Sequence, residues 1–320
     1  MKLKGLVLGL ATLSSAAFAH DHGTIKVYDA KFLPQIISML KPGNLVLENG
    51  QKKTLILPKT ARILNENLEK TRDFFAEELG RKSWDNKGAD IKASLNVNRF
   101  TLFDILGSKE NAAWLQDRFI FGAGDAKGLD NFEKALDVVA HEYTHAVIQT
   151  SSQLVYEGQS GALNEHLADV FGSIVNQVNN PNISNPYQIG STVLYGEYAK
   201  KAHTLRDMMD PAKGLSPQPA HMNDLKLDKF KKFAEGCVAT SENDKCGVHI
   251  LSGIPNKMSA LVMSAIGPQE SAKIFYNVMT KRLSANSKFA DYRVALMDEC
   301  KTMSSDTCSI VDNALKAVGI

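Results

Sequence analysis

The spacing of apolar residues changes along the chain and divides it into two unlike halves. From residue 24 to about residue 57, short β-prone runs such as IKVYDA, LVLE and KKTLIL are separated by turn residues, a pattern that predicts strands joined by turns. Apolar residues then recur at helical spacing and Gly80 follows as a C-cap, so residues 60–79 are predicted to form an amphipathic helix. Alternation returns in residues 91–97 and around residues 119–121. The first half therefore predicts a sheet with at least one helix.

Helical patterns dominate from about residue 134 to the C-terminus. They include KALDVVAHEYTHAVIQ, SGALNEHLADVFGSIVNQV, NKMSALVMSAI, ESAKIFYNVMTKRL and CSIVDNALKAV. The 320 residues suffice for one large core or two lobes, and 44% hydrophobic with 22% charged residues is typical of a globular protein. A mixed first half followed by a helical second half predicts an α+β fold.

The first residues, MKLKGLVLGLATLSSAAFAH, have the features of a secretory signal peptide. Lys2 and Lys4 precede a short apolar run, and Ala17 with Ala19 forms an A-x-A cleavage signal. We expect cleavage after Ala19, which makes the protein secreted, or periplasmic if export stops there. No later segment approaches the roughly eighteen uninterrupted apolar residues of a membrane-spanning helix, so membrane insertion is not expected.

The charge of the processed chain is balanced. Removal of the segment 1–19 takes two lysines from the 37 basic residues and leaves 35 against 35 acidic ones. Binding to nucleic acid or to an anionic membrane surface relies on an excess of positive charge. Neither is therefore expected as a partner.

Four cysteines remain in the exported chain, and an even number in an oxidising compartment favours disulfides. Three pairings are possible. We expect Cys237 to pair with Cys246 and Cys300 with Cys308, because near neighbours in sequence meet most readily. A zinc site made of cysteines is disfavoured because no CxxC spacing occurs.

The segment HEYTH contains two histidines four residues apart, with a glutamate between them. Residues at this spacing share one face of a helix, so His141 and His145 can bind one metal ion while Glu142 stands beside it. A pair of histidines on a helix surface is the alternative. A catalytic zinc ion needs a third protein ligand and an open position for water, so a carboxylate on a neighbouring helix would decide the matter.

The segment GALNEHLAD supplies such a carboxylate. Glu165 is separated from His145 by nineteen residues, enough for a turn and the start of a second helix. Asp169 lies four residues further on and shares the face of Glu165, where it can accept the remaining N–H of a ligand histidine. A solvated helix carboxylate is the alternative for Asp169. We expect it to orient a ligand.

The two segments together resemble the thermolysin family of secreted zinc metalloendopeptidases, with its His-Glu-x-x-His helix and its Gly-Ala-x-Asn-Glu-x-x-x-Asp helix. Nineteen intervening residues and the absence of a GAMEN-like motif separate the chain from the zinc aminopeptidases. Further matches follow in the family's order: YDAK at 28–31, NAAW at 111–114, DPAK at 210–213, and GVHILSGIPNK at 247–257. The resemblance implies a two-lobed zincin with the zinc site in the cleft between the lobes. The β-rich N-terminal lobe would cover residues 20–152 and end in the zinc-binding helix, and the helical C-terminal lobe would cover residues 153–320.

The resemblance also implies catalytic roles. Glu142 corresponds to the general base that activates water and then delivers the proton to the leaving nitrogen. Tyr156 and His249 correspond to the donors that stabilise the oxyanion, and Asp244 to the carboxylate that holds the imidazole of His249. Outside this context, Tyr156 and His249 would more readily be interpreted as structural residues. The zinc ligands correspond to His141, His145 and Glu165.

Residues for binding protein or peptide substrates follow from the same resemblance. Arg206 corresponds to an arginine that binds a substrate carbonyl, with a surface salt bridge as the alternative. Asn111 and the backbone of Ala112 correspond to groups that align the substrate as an added strand. An apolar pocket for the residue after the cleaved bond would favour Leu, Phe or Ile there. Its expected lining residues are Val138, Leu205, Leu129 and Phe132.

The chain departs from the family pattern at the double calcium site. Asp137 is present, but Asn176, Gln188 and Ser191 stand where acids are expected. Calcium prefers several carboxylate oxygens, so we expect this site to be lost or weakened and one zinc ion to be the cofactor. Ala113 replaces a bulky aromatic residue, which predicts broader tolerance in an unprimed subsite.

The start of the chain differs from the family in a second way. The matched region begins almost directly after the signal peptide, so we expect the long pro-domain of many family members to be absent. The first residues of the processed chain, His20, Asp21 and His22, can chelate copper or nickel, with a disordered polar start as the alternative.

These expectations leave three functional classes. A secreted zinc endopeptidase, expected to be a monomer, is the leading hypothesis. A catalytically silent, zinc-containing binding module of the same fold is the alternative, but such a protein would usually lack the base or an oxyanion donor, and Glu142, Tyr156 and His249 are all present. An exopeptidase is disfavoured by the spacing and by the missing motif.

Overall fold

The structure is a computed structural model. It describes residues 22 to 320 apart from residues 32, 34, 98–111, 125–127 and 235. The predicted signal peptide, residues His20 and Asp21, and the predicted substrate-binding residue Asn111 lie outside the described residues. Among the helices that the structure describes, none is both long enough and apolar enough to cross a bilayer.

A six-stranded mixed sheet forms the first part of the molecule, with strand order β3-β2-β1-β4-β6-β5. The central strand β1 pairs antiparallel with β2 and parallel with β4, and β4 pairs parallel with β6. The outer pairs β2–β3 and β5–β6 are antiparallel. The strands are β1 (Ile25–Asp29), β2 (Asn44–Glu48), β3 (Gln51–Lys52), β4 (Ile91–Val97), β5 (Ala112–Trp114) and β6 (Phe119–Gly122).

The strands predicted from alternation in residues 91–97 and 119–121 are confirmed, but the prediction of a strand through KKTLIL is wrong. The strand β3 ends at Lys52, and Leu55 and Ile56 are 94% and 85% exposed. β3 lies at the edge of the sheet, and the ammonium group of Lys52 donates a hydrogen bond to the carbonyl of Leu55 at 2.7 Å. The run therefore leaves the sheet although its residues are β-prone.

Helices make up most of the rest of the chain. The predicted amphipathic helix is confirmed as α2, which packs against both β1 and α3. The helices are α1 (Gln35–Leu40), α2 (Ala61–Glu77), α3 (Leu136–Gln149), α4 (Gly158–Asn179), α5 (Gly196–Ala199), α6 (Asp244–Leu251), α7 (Gly253–Ile266), α8 (Pro268–Asn277), α9 (Phe289–Cys300) and α10 (Ser305–Val318). A β-containing first part and a helical second part confirm the two-lobed α+β architecture. The proposed boundary at residue 152 stays a prediction.

The helix α4 packs closely against α3 and α6. One glycine on α4 allows the close approach of each neighbour. A Cβ atom at Gly172 would lie 2.6 Å from the backbone oxygen of Asp137 on α3. A Cβ atom at Gly161 would lie 2.4 Å from the side chain of Val248 on α6 and 2.9 Å from the backbone of Tyr156. Because real Cβ contacts are longer than these distances, larger residues would push α3 and α6 away from α4.

A small antiparallel pair of strands, β7 (Gln188–Ile189) and β8 (Arg206–Asp207), lies in the helical part. All four cysteines are paired as the sequence predicts. Cys237 bonds to Cys246 and Cys300 bonds to Cys308.

Candidate active site

Helix α3 is buried on nearly all sides, yet it carries polar side chains at its centre. His141 and Glu142 are among its buried residues. His141 and His145 lie one turn apart, and their Nε2 atoms are 3.0 Å from each other. Burying a polar group without a partner is energetically costly. We therefore expect the buried polar side chains of α3 to bind a ligand or to make specific hydrogen bonds.

Helix α4 brings a carboxylate to the same point. Glu165 places Oε2 3.5 Å from Nε2 of His141 and Oε1 3.4 Å from Nε2 of His145. One ligand atom from each of the three residues lies within 4.8 Å of the others. The face-sharing of the two histidines and the position of the glutamate therefore agree with the spacing of the sequence motif.

The three residues fit a single zinc ion. A tetrahedral ion bound at about 2.0–2.1 Å from each ligand atom separates those atoms by roughly 3.3 Å, close to the distances between His141, His145 and Glu165. The atom Oε2 of Glu165 is buried and has no hydrogen-bond partner among the described residues. A cation would satisfy it, and two imidazoles with one carboxylate are a common ligand set of catalytic zinc.

Hydrogen bonds orient both histidines. Nδ1–H of His145 donates to Oδ1 of Asn164 at 2.8 Å, and Nδ1–H of His141 donates to Oδ1 of Asp169 at 2.9 Å. In each ring the Nε2 lone pair is thereby directed away from that partner and toward Glu165. Burial lowers the pKa of His145 to about 4, which favours the neutral ring that binds metal ions.

Asp169 is a fully buried carboxylate and not a solvated one. Arg206 donates to it twice, from Nε to Oδ2 at 2.8 Å and from Nη2 to Oδ1 at 2.6 Å, and Nδ2 of Asn256 donates to Oδ2 at 2.9 Å. Burial alone would raise the pKa of Asp169, but the guanidinium of Arg206 and the ring of His141 hold it well below its usual range. Asp169 is therefore a permanently charged acceptor for His141.

Arg206 is more than a surface salt bridge. Its side chain lines the cleft, and Nη2 lies 3.4 Å from Nδ1 of His141. Burial would lower its pKa, yet the charge of Asp169 and its hydrogen bonds keep the guanidinium protonated. Arg206 therefore holds a positive charge at the cleft wall, next to the metal-ligand candidates.

Helix α6 packs against α4 and brings Asp244 and His249 to the cleft, where they meet Tyr156 from the segment that precedes α4. The hydroxyl of Tyr156 donates a hydrogen bond to Oε1 of Glu165 and lies 3.1 Å from Nε2 of His249. Nδ1–H of His249 donates to Oδ1 of Asp244 at 2.7 Å, and Oδ2 of Asp244 accepts from the backbone N–H of His249 at 2.9 Å. Asp244 thus fixes both the ring and the backbone of His249.

One cleft contains these groups together with the predicted apolar pocket. Its walls include Glu142, Tyr156, His249, Arg206 and Asp244. The predicted lining residues Ala112, Leu129, Phe132, Val138 and Leu205 belong to the same cleft. β5, which carries Ala112, contacts α3. The structure thus brings together the predicted catalytic, metal-binding and substrate-binding residues that it describes, with Asp169 behind the cleft wall.

Comparison with protein families covers nearly all of the chain after residue 19. Residues 20–149 match the family model described as thermolysin metallopeptidase, catalytic domain, and residues 152–320 match the model described as thermolysin metallopeptidase, alpha-helical domain. The chain belongs to the thermolysin metallopeptidase family. The resemblance identified from the sequence motifs is therefore confirmed.

Individual relatives agree with this membership. The neutral protease NprE of Bacillus pumilus is 32% identical over 87% of this chain and 83% of its own length. The extracellular elastase of Staphylococcus epidermidis is 35% identical over 80% of this chain but only 45% of its own length. The chain spans about half the length of that elastase and of the bacillolysin of Bacillus amyloliquefaciens, which matches over 48% of its length.

A solved structure shares the fold of this thermolysin-family chain. The precursor of protealysin, a metalloproteinase from Serratia proteamaculans, superimposes with a TM-score of 0.76 at 27% identity, over 93% of this chain and 88% of that one.

Two residues of this thermolysin-family site were not predicted from the sequence. Asn164 orients His145, and Asn256 donates to Asp169 from α7. Asn164 directly precedes Glu165 within the motif, so its position was a usable signal. Asn256 lies 87 residues from Asp169 along the chain, and no local pattern links the two.

The calcium prediction concerns a neighbouring region. Asp137 is buried there and accepts hydrogen bonds from the backbone N–H groups of Val138 and Gly190, both at 2.9 Å. Burial raises the pKa of Asp137. The loss or weakening of the double calcium site stays a prediction.

Proposed function

We propose that this protein is a zinc-dependent endopeptidase that cleaves peptide bonds before bulky hydrophobic residues. The observation that carries the proposal is the convergence of His141, His145 and Glu165 on one point in a cleft that also holds Glu142 and His249. Such a cleft combines a metal-binding donor set with a carboxylate and hydrogen-bond donors, which is what hydrolysis of an amide requires.

Three residues would hold the metal. His141 and His145 contribute imidazole nitrogens and Glu165 contributes a carboxylate oxygen. When bound there, a zinc ion supplies a Lewis acid that polarises a carbonyl group and makes water more acidic. Asp169 and Asn164 keep the two imidazoles in the orientation for binding.

Glu142 moves the proton. It follows His141 on α3 and lines the cleft, so its carboxylate can accept a proton from the attacking water and deliver it to the leaving nitrogen. Negative charge develops on the carbonyl oxygen during the attack. The hydroxyl of Tyr156 can donate a hydrogen bond to that oxygen, and His249 can donate from Nε2 in its doubly protonated form, which the carboxylate of Asp244 at Nδ1 favours. Asp244 keeps Nε2 of His249 directed to the cleft.

Substrate binding follows from two parts of the cleft. Among the strands that the structure describes, β5 is at the edge of the sheet, so its outer side can accept an extended peptide through backbone hydrogen bonds. Leu129, Phe132 and Val138 are buried apolar residues of the cleft wall, and Leu205 completes the proposed pocket. Such a pocket favours an apolar side chain after the cleaved bond by roughly 1–3 kcal/mol for each methylene group. Ala113 leaves room on the unprimed side.

We further propose that the protein is exported and acts as a monomer on protein or peptide substrates. The N-terminal segment 1–19 supports export, and so does similarity to relatives named as extracellular enzymes. Residues 20–152 and 153–320 are the proposed lobes. Measurement of molar mass in solution tests the monomer, and N-terminal sequencing of the exported protein tests cleavage after Ala19.

Casein hydrolysis tests the enzyme proposal. The purified protein, with its zinc content measured, should hydrolyse casein, lose this activity in a zinc chelator and regain it on addition of zinc. A cleavage-site profile on a mixed peptide library should show Leu, Phe and Ile after the cleaved bonds. Folded, zinc-loaded protein without chelator-sensitive cleavage would contradict the proposal and favour the catalytically silent binding module.

A further inference from the structure

The four residues that begin α6 form a left-handed turn. Asp244, Lys245, Cys246 and Gly247 have φ angles of 55°, 49°, 65° and 73°. Only the last of them is a glycine. L-residues adopt this conformation at an energetic cost, and consecutive residues rarely do so. Other parts of the structure must therefore hold the turn in place.

The turn decides where His249 points. Asp244 binds both the ring and the backbone N–H of His249, five residues ahead of it. In a regular right-handed helix each residue advances by about 100°, so residues five apart lie roughly 140° from each other and cannot make this pair of contacts. The left-handed turn departs from that helical geometry, and in it the carboxylate of Asp244 contacts the ring of His249.

A disulfide fastens the turn at its third residue. Cys246 is 4% exposed and bonds to Cys237 in the preceding loop, with a Cα–Cα distance of 5.9 Å. Hydrogen bonds add weaker support: the backbone N–H of Cys246 donates to Oδ1 of Asn243, and that of Lys245 donates to the carbonyl of Thr240. The disulfide adds a covalent cross-link between this loop and the turn.

We propose that the Cys237–Cys246 disulfide is a positioning element for His249. It stabilises a left-handed backbone at Cys246 and thereby keeps Asp244 in contact with the imidazole and the imidazole directed at the cleft. The inference rests on the proposed function, in which His249 stabilises the oxyanion. Loss of the Cys237–Cys246 disulfide should therefore reduce turnover while the residues proposed to bind zinc stay in place.

The second disulfide provides a matched control. Cys300 ends α9 and Cys308 lies in the first turns of α10. Neither helix contributes to the residues that line the cleft in the described part of the chain. The control pair closes a loop of similar length, with a sequence separation of 8 against 9. It should stabilise the fold without orienting His249.

The experiment compares three double variants of the full, zinc-loaded protein. In Cys237→Ser/Cys246→Ser, kcat should fall about tenfold, equivalent to about 1.4 kcal/mol, while KM and zinc content stay unchanged. In Cys237→Ser/Cys246→Gly, most of this loss should be recovered, because glycine adopts the left-handed conformation readily without a disulfide. The control Cys300→Ser/Cys308→Ser should keep kcat while its unfolding temperature falls.

Hydrogen exchange gives a readout that does not depend on activity. The amide of His249, which donates to Asp244, should exchange faster in Cys237→Ser/Cys246→Ser than in the parent. In the variant with glycine at 246 its exchange should slow again, and in the control pair it should not change.

Two outcomes would overturn the inference. One is a parent-like kcat together with parent-like exchange at His249 after removal of Cys237 and Cys246. The other is an equal loss in the serine and glycine variants, since a merely structural disulfide would not distinguish them. Absence of chelator-sensitive cleavage in the parent would instead contradict the proposed function, and the exchange experiment would still test the turn.

Discussion

Replacement of Asp169 by asparagine should weaken both the fold and the zinc site. Oδ1 of Asp169 accepts from His141 and Arg206, and Oδ2 accepts from Arg206 and Asn256. Whichever way the amide of Asp169→Asn is turned, its NH₂ group faces two donors. Arg206 also loses its buried counter-charge.

The magnitude follows from these contacts. Breaking a buried ion pair by neutralising one partner costs about 3–5 kcal/mol of unfolding free energy. The donors that Asp169→Asn leaves without an acceptor belong to His141, Arg206 and Asn256, which all contact Asp169. Their loss is part of the same perturbation, so we add no separate cost for it. The free energy of unfolding of the metal-free protein should fall by that amount. Zinc affinity should fall about 10–100-fold, because loss of a carboxylate that orients a ligand histidine typically has this effect.

Urea unfolding of the metal-free protein and competition with a chelator of known affinity measure the two effects. Asp137→Asn is the matched control, since this buried carboxylate lies on the same helix as His141 but accepts from the backbone N–H groups of Val138 and Gly190. Its zinc affinity should fall less than that of Asp169→Asn, because its carboxylate accepts from backbone N–H groups and not from a candidate ligand histidine. Parent-like zinc affinity and parent-like unfolding in Asp169→Asn would refute the reasoning.

Three further predictions test other parts of the molecule. Glu142→Gln should keep zinc, but its kcat should fall about 10²–10⁴-fold. His249→Ala should keep a small measurable activity. Parent-like casein hydrolysis by Glu142→Gln would refute the assignment of Glu142 as the base. Burial raises the pKa of Glu133, so the stability that this side chain contributes is present below its unfolded-state pKa and is lost as pH rises through its folded-state pKa. Glu133→Gln should therefore raise the unfolding temperature more at pH 8 than at pH 4. Equal shifts of the unfolding temperature at the two pH values would contradict this. Gly161→Ala should lower both the unfolding temperature and kcat at unchanged zinc content. The reason is that the new methyl group would overlap Val248 and the backbone of Tyr156. A kcat equal to that of the parent would show that α4 and α6 can move apart without an effect on turnover.

The grouping of the proposed metal-binding residues could be predicted because their geometry is local. His141 and His145 are four residues apart on one helix, and the distance from His145 to Glu165 leaves room for one turn and the start of the next helix. Helical periodicity alone places such residues on a shared face. Helical spacing also predicted α2, and alternation of apolar and polar residues predicted the strands β4 and β6.

Contacts between distant segments could not be read from spacing. Asn256 reaches Asp169 from a helix far along the chain, and Arg206 reaches it from β8. The left-handed turn at Asp244 was also hidden, because Asp244 and Gly247 tolerate a positive φ but Lys245 and Cys246 between them do not favour one. The residue at which β3 ends could not be predicted either. β3 is at the edge of the sheet, and β-propensity does not tell whether a strand is at an edge or in the centre.

The proposed ligands lie on two helices that follow each other directly, α3 and α4, whereas Arg206 and His249 come from segments that the ribosome makes later. The three metal-binding candidates and the proposed base Glu142 therefore come from one continuous stretch of chain, whereas Arg206 and His249 reach the cleft only when later segments pack against it. Changes in those later segments can alter turnover while the three candidate ligands stay together.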